Sequence, residues 1–417
     1  MRGLVFSGGG SKGSYEVGVW KALRHMHIKI DIVTGTSIGA LNGVMLTQKQ
    51  FHKCQKLWEN IDYNQLFEED FSNLSGKTNV YLNYAKAFLK NGGMTTKRIE
   101  KLIEDAINVK KFYSSKINYG LVTFDITNRI PHQLEKKDIP REKLKEYVLA
   151  SATCFPAFKV KDIDNKKFID GGYYDNLPIN FAIDLGATNI IAVDLNEVGL
   201  IKKVKNKDIP VKLIAPKNDL GSFLIFDKNQ AKKNISYGYN DTMKAYNKLD
   251  GNLYTFKYNN LYKNYKKYKW KFNNLMKELF ENNIENKNIY DNFIKYSKFK
   301  KILDKTADDR ITINETIEYL GKVYEIDDTK IYNIRDFNKL LVKINNEYTA
   351  SDTSLISLRT DDFEGVINSK LLIKYIYNKL AVENYDWETR KDLCRLASMF
   401  PNDFLAGMYL ILISGQY

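Results

Sequence analysis

The sequence DIVTGTSIGALNG, residues 31–43, decides the architecture that we expect for the chain. Its β-branched run Ile32–Thr34 predicts a buried strand, and the small and apolar residues after Gly35 predict a helix. Between them lies Ser37, and Gly35 and Gly39 complete a Gly-x-Ser-x-Gly pattern that is typical of a nucleophile elbow. Both positions need glycine because a side chain there would collide with the neighbouring strand or helix. We therefore expect the Ser37 hydroxyl at a helix N-terminus, where backbone amides favour developing negative charge.

A second glycine-rich turn follows the predicted strand Gly3–Phe6 and precedes the predicted helix Ser14–His25. A strand, a glycine-rich turn and a helix form a cradle of backbone amides for an anion. A Walker loop is excluded because it needs Lys followed by Ser or Thr, and here Gly13 follows the lysine. A dinucleotide site fits the glycines, but it needs an acid at the end of the second strand, and Asp31 lies at its beginning. We favour an oxyanion hole over the dinucleotide site, with the candidate residues Gly8, Gly9, Gly10, Ser11, Lys12 and Gly13.

The base that would activate the serine has two candidates. The strand predicted at Lys166–Ile169 runs into Asp170-Gly171-Gly172, which presents a carboxylate on a turn, although an ordinary Asp-Gly turn is the better explanation of this pattern by itself. A triad through His132 would have a chain order unlike that of the α/β-hydrolases. The alternative is a dyad of Ser37 and Asp170, because an apolar pocket raises the pKa of a carboxylate toward the useful range.

These three patterns, in this order, resemble the patatin-like phospholipases of the bacterial type, over about residues 1–256. The segment Ala150–Pro156 resembles a further block of that family, and the segments Tyr237–Asp241 and Leu249–Gly251 resemble the end of its domain. The resemblance implies a three-layer α/β/α domain. The mainly helical region 257–417, of unknown role, carries no useful resemblance.

The family resemblance also implies a chemistry. Ser37 would be the nucleophile and Asp170 the base, with an oxyanion hole from the amides around Gly9, Gly10 and Ser11, and with neither calcium nor any other metal or cofactor. The implied activity is phospholipase A-type hydrolysis of a phospholipid or other lipid ester through an acyl-serine intermediate. A lysophospholipase or a transacylase on the same dyad is the alternative. A membrane-binding or partner-binding protein with a secondary esterase site is a further alternative, against which the intact dyad residues speak.

Composition indicates the compartment and the partners that we expect for the protein. Three scattered cysteines, a strand that begins at Gly3 and the lack of an apolar run of about 18 residues predict a cytoplasmic protein. The net charge of +14 indicates a polyanionic partner or mere compositional drift, and no nucleic-acid motif is present. Residues 257–300 hold eleven lysines against four acids, interleaved with Tyr and Trp, which predicts peripheral contact with an anionic membrane at its inner face.

Overall fold

The computed structural model describes residues 1–62, 94–280, 309–348, 368–382 and 387–417. The chain divides into two compact units, Met1–Tyr246 and Asn247–Tyr417. The sequence places the boundary at residue 256 instead, which lies inside the second of two short strands, Leu249–Asp250 and Thr255–Lys257, that belong to the second unit. The assignment of 1–256 and 257–417 as functional domains stays a prediction.

An eight-stranded mixed sheet forms the centre of the first unit. Its order is β5-β6-β3-β2-β1-β7-β8, and β4 pairs with β3 off this path. The five strands β3, β2, β1, β7 and β8 are parallel, whereas β4 and β6 run antiparallel to β3. The strands are β1 (Arg2–Phe6), β2 (Ile32–Thr36), β3 (Asn118–Asp125), β4 (Ile130–Glu135), β5 (Lys161–Ile163), β6 (Lys166–Asp170), β7 (Asn189–Val193) and β8 (Val211–Ile214).

Helices cover both faces of the sheet. On β1, Leu4 and Phe6 pack into one hydrophobic cluster with helices of one layer, while Val5 between them packs into another. Successive side chains of a strand point to opposite faces, so this alternation means that both faces are buried. The result is the expected three-layer α/β/α domain. Its helices are α1 (Ser14–His25), α2 (Ile38–Thr47), α3 (Phe51–Asn60), α4 (Lys97–Ala106), α5 (Val109–Ser114), α6 (Leu144–Ser151), α7 (Ile179–Asp184) and α8 (Lys228–Ala245).

Sequence patterns locate most of these elements. Helix α1 has the predicted bounds, and the strands before both glycine-rich turns differ from prediction by at most two residues. The patterns miss β4 and β5, because β4 has no alternation of buried and exposed residues and β5 is only three residues long. A helical pattern at Tyr81–Leu89 lies outside the described residues.

The second unit is mainly helical, as the sequence predicts. Its helices are α9 (Asn260–Phe280), α10 (Asp309–Val323), α11 (Ile334–Glu347), α12 (Ser369–Leu380), α13 (Trp387–Met399) and α14 (Pro401–Ser414), and its three short strands are β9 (Leu249–Asp250), β10 (Thr255–Lys257) and β11 (Ile331–Tyr332). The sequence assigns Ile331 to a helical repeat, but it lies in β11, where it pairs with Thr255. An apolar residue of a short strand can fall by chance at helical spacing from the apolar residues of the next helix, and the pattern alone does not separate the two cases.

The most apolar stretch of the chain, Phe404–Ile413, lies in α14. Proline at the first helical position and Gly415 in the left-handed region bound this helix, and most of its residues are buried in the core of the second unit. It is therefore a buried core helix. Among the helices that the structure describes, none has both the length and the apolarity to cross a bilayer.

Candidate active site

Two strands that meet end to end along β3 bring the predicted nucleophile and base together. Strand β2 pairs with β3 up to Thr36 opposite Val122, and β6 takes over with Asp170 opposite Thr123. Strand β4 pairs with the same part of β3 and occupies its other edge, so β2 and β6 share one edge. The carboxyl ends of β2 and β6 therefore face each other. Ser37, which follows β2, meets Asp170, which ends β6.

The backbone of Ser37 adopts the tight turn that its pattern predicts. Its φ of 57° and ψ of −127° are uncommon for a residue with a Cβ. Its N–H donates to Ser151 Oγ at 2.9 Å, and that hydroxyl donates to the carbonyl of Val122 at 2.7 Å. A Cβ on Gly39 would come within 2.6 Å of the Ser7 carbonyl oxygen, which explains the glycine. The serine is thus held in a strained conformation by a buried hydrogen-bond chain.

Asp170 is buried beside this serine. Its Oδ1 accepts a 2.7 Å hydrogen bond from the N–H of Gly172, and its own N–H donates to the Thr153 carbonyl at 2.9 Å. Burial raises the pKa of Asp170 from 3.8 to about 6, against the opposing effect of hydrogen bonds from Ser37 and Gly172. A Cβ on Gly171 would collide with the Val122 carbonyl, so the predicted turn glycines allow the carboxylate to sit this close to β3.

The glycine-rich turn lies against the same site, but its amides differ in what they bind. The N–H of Gly8 donates to the main-chain and side-chain oxygens of Asn176 at 3.1 and 3.2 Å. The N–H of Ser11 donates to Phe223 and that of Lys12 to Gly9. Within the described part of the chain, the amides of Gly9 and Gly10 make no such bond, and Gly10 has a φ of +54°. These two amides are therefore free to donate to an oxyanion.

The Lys12 side chain and the Gly13 carbonyl have structural contacts. The Lys12 side chain forms an ion pair with Glu197. The carbonyl of Gly13 accepts a 2.9 Å hydrogen bond from Asn42 Nδ2, which also donates to the buried Glu16 at 2.7 Å. Trp58 Nε1 in turn donates to Asn42 Oδ1 at 3.0 Å. A buried polar network thus holds the carboxyl end of the turn in place.

His132 lies away from this arrangement. It belongs to β4, on the opposite edge of β3 from Ser37, where its Nε2 is 3.7 Å from Asp125 and its ring packs against Phe168. It does not line the cavity that contains Ser37 and Asp170. The structure therefore does not bring Ser37, His132 and Asp170 together as a triad.

A cavity of about 530 Å³ opens onto Ser37, Asp170 and the turn Gly8–Gly10. The rest of its wall is mostly apolar, including Leu41, Met45, Leu57, Ile99, Leu102 and Phe158. An apolar cavity with a few convergent polar groups is typical of a ligand site. Its chemistry suits an apolar chain that carries a reactive polar group at one end.

Two residues that organise the site are not predicted from the sequence. Asn176 holds Gly8 through both its main chain and its side chain, and Ser151 holds the N–H of Ser37. Asn176 follows the Asp-Gly-Gly turn closely, but nothing in its local pattern indicates a partner in the first strand's turn. Among the described residues, no group of three or more His, Cys, Asp or Glu could hold a metal ion.

Part of the chain matches a known family. Residues 4–183 match the family model of the patatin-like phospholipases. Curated relatives include patatin-like phospholipase domain-containing protein 7 of Rattus norvegicus and neuropathy target esterase sws of Drosophila melanogaster, both 28% identical over 46% of this chain and 13% of the relative. Lysophospholipase nte1 of Aspergillus terreus is 29% identical over 47% of this chain and 12% of the relative. The alignments thus span only about an eighth of these relatives.

One solved structure also matches across most of both chains. VipD from Legionella pneumophila aligns with 99% of this chain and 91% of its own, at 14% identity and a TM-score of 0.40. A likeness this low supports no inference about function.

Proposed function

Residues 4–183 of this chain are a patatin-like phospholipase domain, and on that premise we propose that the protein is a lipid acyl hydrolase of phospholipase A type. The observation that carries the proposal is the meeting of Ser37 and Asp170 at one apolar cavity. A serine nucleophile needs a base within reach, and a fatty acyl chain needs an apolar wall.

The reaction would proceed in two halves. Ser37 Oγ attacks the ester carbonyl carbon while the Asp170 carboxylate takes the hydroxyl proton, and the free amides of Gly9 and Gly10 donate to the oxyanion. The C–O bond to the alcohol breaks, and the alcohol leaves with the proton from Asp170. Water then attacks the acyl-serine carbonyl carbon while Asp170 takes a proton from it. The bond between the acyl carbon and Ser37 Oγ breaks, Asp170 returns the proton to Oγ, and the fatty acid leaves. With its pKa raised to about 6, Asp170 is a stronger base than an exposed aspartate and is still mostly ionised at neutral pH.

The same dyad supports a lysophospholipase or a transacylase. These activities differ in the acyl donor and in whether water or an alcohol takes the acyl group. Mass spectrometry of the products from mixed diacyl and lysophospholipids identifies the donor and acceptor. Products that form equally with Ser37→Ala protein would contradict every one of these activities.

The first prediction concerns the dyad itself. Ser37→Ala and Asp170→Asn should each lower kcat/KM for ester hydrolysis about 10⁴-fold or more, and the double variant little further, because the two residues act as a unit. The measurement is hydrolysis of a short-chain ester by purified protein. The exposed substitutions Ser114→Ala and Asp138→Asn are matched controls and should leave the rate unchanged. Full activity in Ser37→Ala protein would overturn the proposal.

We also propose that the protein works at the cytoplasmic face of a membrane, in peripheral contact with anionic lipid. The lysine-rich helix α9 supports this, since Lys263, Lys266, Lys267, Lys269 and Trp270 are all exposed. The rest of the predicted basic stretch, residues 281–300, lies outside the described residues. The test of this helix is given in the Discussion.

A further inference from the structure

The connection between β7 and β8, residues 194–210, is long for the first unit. Most connections in compact domains have about 4–6 residues, and loops longer than about 12–15 residues are commonly functional. This β7–β8 loop lies at the carboxyl end of β7, and four of its residues, Glu197, Val198, Gly199 and Leu200, line the cavity that contains Ser37.

The tip of the β7–β8 loop exposes a short apolar run. Val198 is 98% exposed, Leu200 is 62% exposed and Ile201 is 46% exposed. Tyr173, which also lines the cavity, is 46% exposed. Single exposed apolar residues are ordinary, but adjacent ones at the opening of a ligand site mark an interaction surface.

Hydrogen bonds to the backbone of the loop keep these apolar side chains exposed. The N–H of Leu200 donates to the Gly172 carbonyl at 3.0 Å, and its carbonyl accepts from the N–H of Asn176 at 2.6 Å. Further along, the Asn180 side chain binds the Lys203 carbonyl and the Lys205 N–H, both at 2.9 Å. The loop therefore has a fixed conformation that directs apolar side chains outward, at a cost in hydration that a partner surface would relieve.

A cationic run follows the apolar tip. Lys202, Lys203, Lys205 and Lys207 lie within six residues that contain no acid. Lys202 lies over the ring of Tyr174, whereas none of the ion pairs found among the described residues involves the other three lysines, which are exposed. Glu197, on the other side of the tip, is neutralised by its ion pair with Lys12. The surface thus combines an apolar tip with a run of lysines, which the exposed Asp208 follows directly.

We propose that the β7–β8 loop docks the protein on an anionic lipid bilayer, with Val198, Leu200 and Ile201 in the headgroup region and the lysines on lipid phosphates. Apolar burial and attraction to anionic lipid act together in interfacial binding. Docking by this loop brings the opening of the cavity to the bilayer surface, so that a lipid acyl chain reaches Ser37 with little exposure to water. The choice of a bilayer as the occupant rests on the proposed function, whereas the surface itself does not.

The test measures binding to vesicles and not turnover. Full-length Ser37→Ala protein is sedimented with vesicles of phosphatidylcholine alone or with phosphatidylglycerol added, at low and at high salt. We expect binding to the anionic vesicles at low salt, weaker binding to the neutral ones, and release at high salt. Failure of this protein to bind anionic vesicles would overturn the docking proposal, irrespective of any result on hydrolysis.

Two sets of substitutions assign the binding to this loop. Val198→Ser with Ile201→Ser, and separately Lys203→Gln with Lys205→Gln and Lys207→Gln, should each weaken binding to anionic vesicles by about tenfold or more. The controls are the exposed Leu213→Ser on β8, and Lys21→Gln with Lys29→Gln and Lys116→Gln, whose residues lie away from the cavity opening. Thermal unfolding confirms that each variant folds. Binding equal to the parent in both loop variants would overturn the proposal and would assign docking to another surface, such as α9.

Discussion

At the scale of single residues, burial of the ionised Asp170 carboxylate lowers the stability of the folded chain. Its pKa is 3.8 ordinarily and about 6 in the folded chain, because burial disfavours the charged form. Between about pH 4 and pH 6 the unfolded chain has already lost the proton that the folded chain retains. Stability therefore falls as the pH rises through this range, by on the order of 2–3 kcal/mol, and the loss is complete above about pH 6.

Replacement of Asp170 by asparagine should remove this loss, since the amide is neutral and its oxygen can still accept from Gly172. We expect Asp170→Asn protein to be more stable than the parent at pH 7.5 and equally stable near pH 4. Urea unfolding at both pH values measures the difference, with the exposed Asp138→Asn as a control. A difference that is the same at both pH values would show that Asp170 is not a buried carboxylate with a raised pKa.

A substitution of His132 tests whether Asp170 activates Ser37 without a histidine. This histidine lies on the far edge of β3 from Ser37, so His132→Ala should leave kcat/KM within about tenfold of the parent, a change in barrier of up to about 1.4 kcal/mol. The measurement is the same ester hydrolysis assay that is used for the dyad. A loss as large as that of Ser37→Ala would show that the dyad is incomplete.

At the scale of elements, α9 has two different faces. Leu261, Phe272 and Leu275 are buried in the core of the second unit, at the spacing of one helical face. The exposed side carries the lysines together with Trp270, which is 72% exposed. Lys266 lies 4.7 Å from the ring centre of Tyr262, and Lys269 lies 5.3 Å from that of Tyr265. A mixture of lysine and aromatic side chains on one face suits a lipid headgroup region.

Replacing Lys263, Lys266, Lys267 and Lys269 by Gln should weaken association with anionic vesicles at low salt by about tenfold or more, because each lysine near an anionic surface contributes about 1 kcal/mol. Vesicle sedimentation measures the change. The matched control replaces four exposed lysines elsewhere in the same unit by Gln: Lys322, Lys330, Lys339 and Lys343. Equal losses in both variants would mean that total charge, and not this face, determines binding.

At the scale of the whole molecule, the two units have separate hydrophobic cores. The family match at residues 4–183 and the proposed dyad both fall in the first unit, and the second unit has its own core around α14. Serine chemistry of the proposed kind needs no Lewis acid, since the oxyanion is stabilised by backbone N–H groups.

Chelation tests whether the proposed hydrolysis needs a metal ion. EDTA added to purified protein should leave ester hydrolysis unchanged within a factor of about two, because every proposed step uses side chains and amides of the chain. Activity is measured with and without excess EDTA, and then with calcium restored. Loss of activity with EDTA and recovery with calcium would contradict a metal-independent dyad.

The sequence by itself determines the local parts of this site. β-Branched runs predict strands β1 and β2, and the glycines around Ser37, Gly10 and Asp170 predict tight turns, because backbone conformation and side-chain periodicity act over a few residues. The resemblance to the patatin-like phospholipases adds the expected roles of the serine and the aspartate. These features can be predicted without knowledge of any long-range contact.

Only the tertiary structure decides how these parts meet. The pairing of β2 and β6 along one edge of β3 brings Ser37 to Asp170, and the pairing of β4 along the other edge separates His132 from them. Contacts from Asn176, Phe223 and Ser151 then decide which amides stay free. Strand register depends on interactions between segments that are distant in the chain, and local patterns carry no information about which edge a strand will occupy.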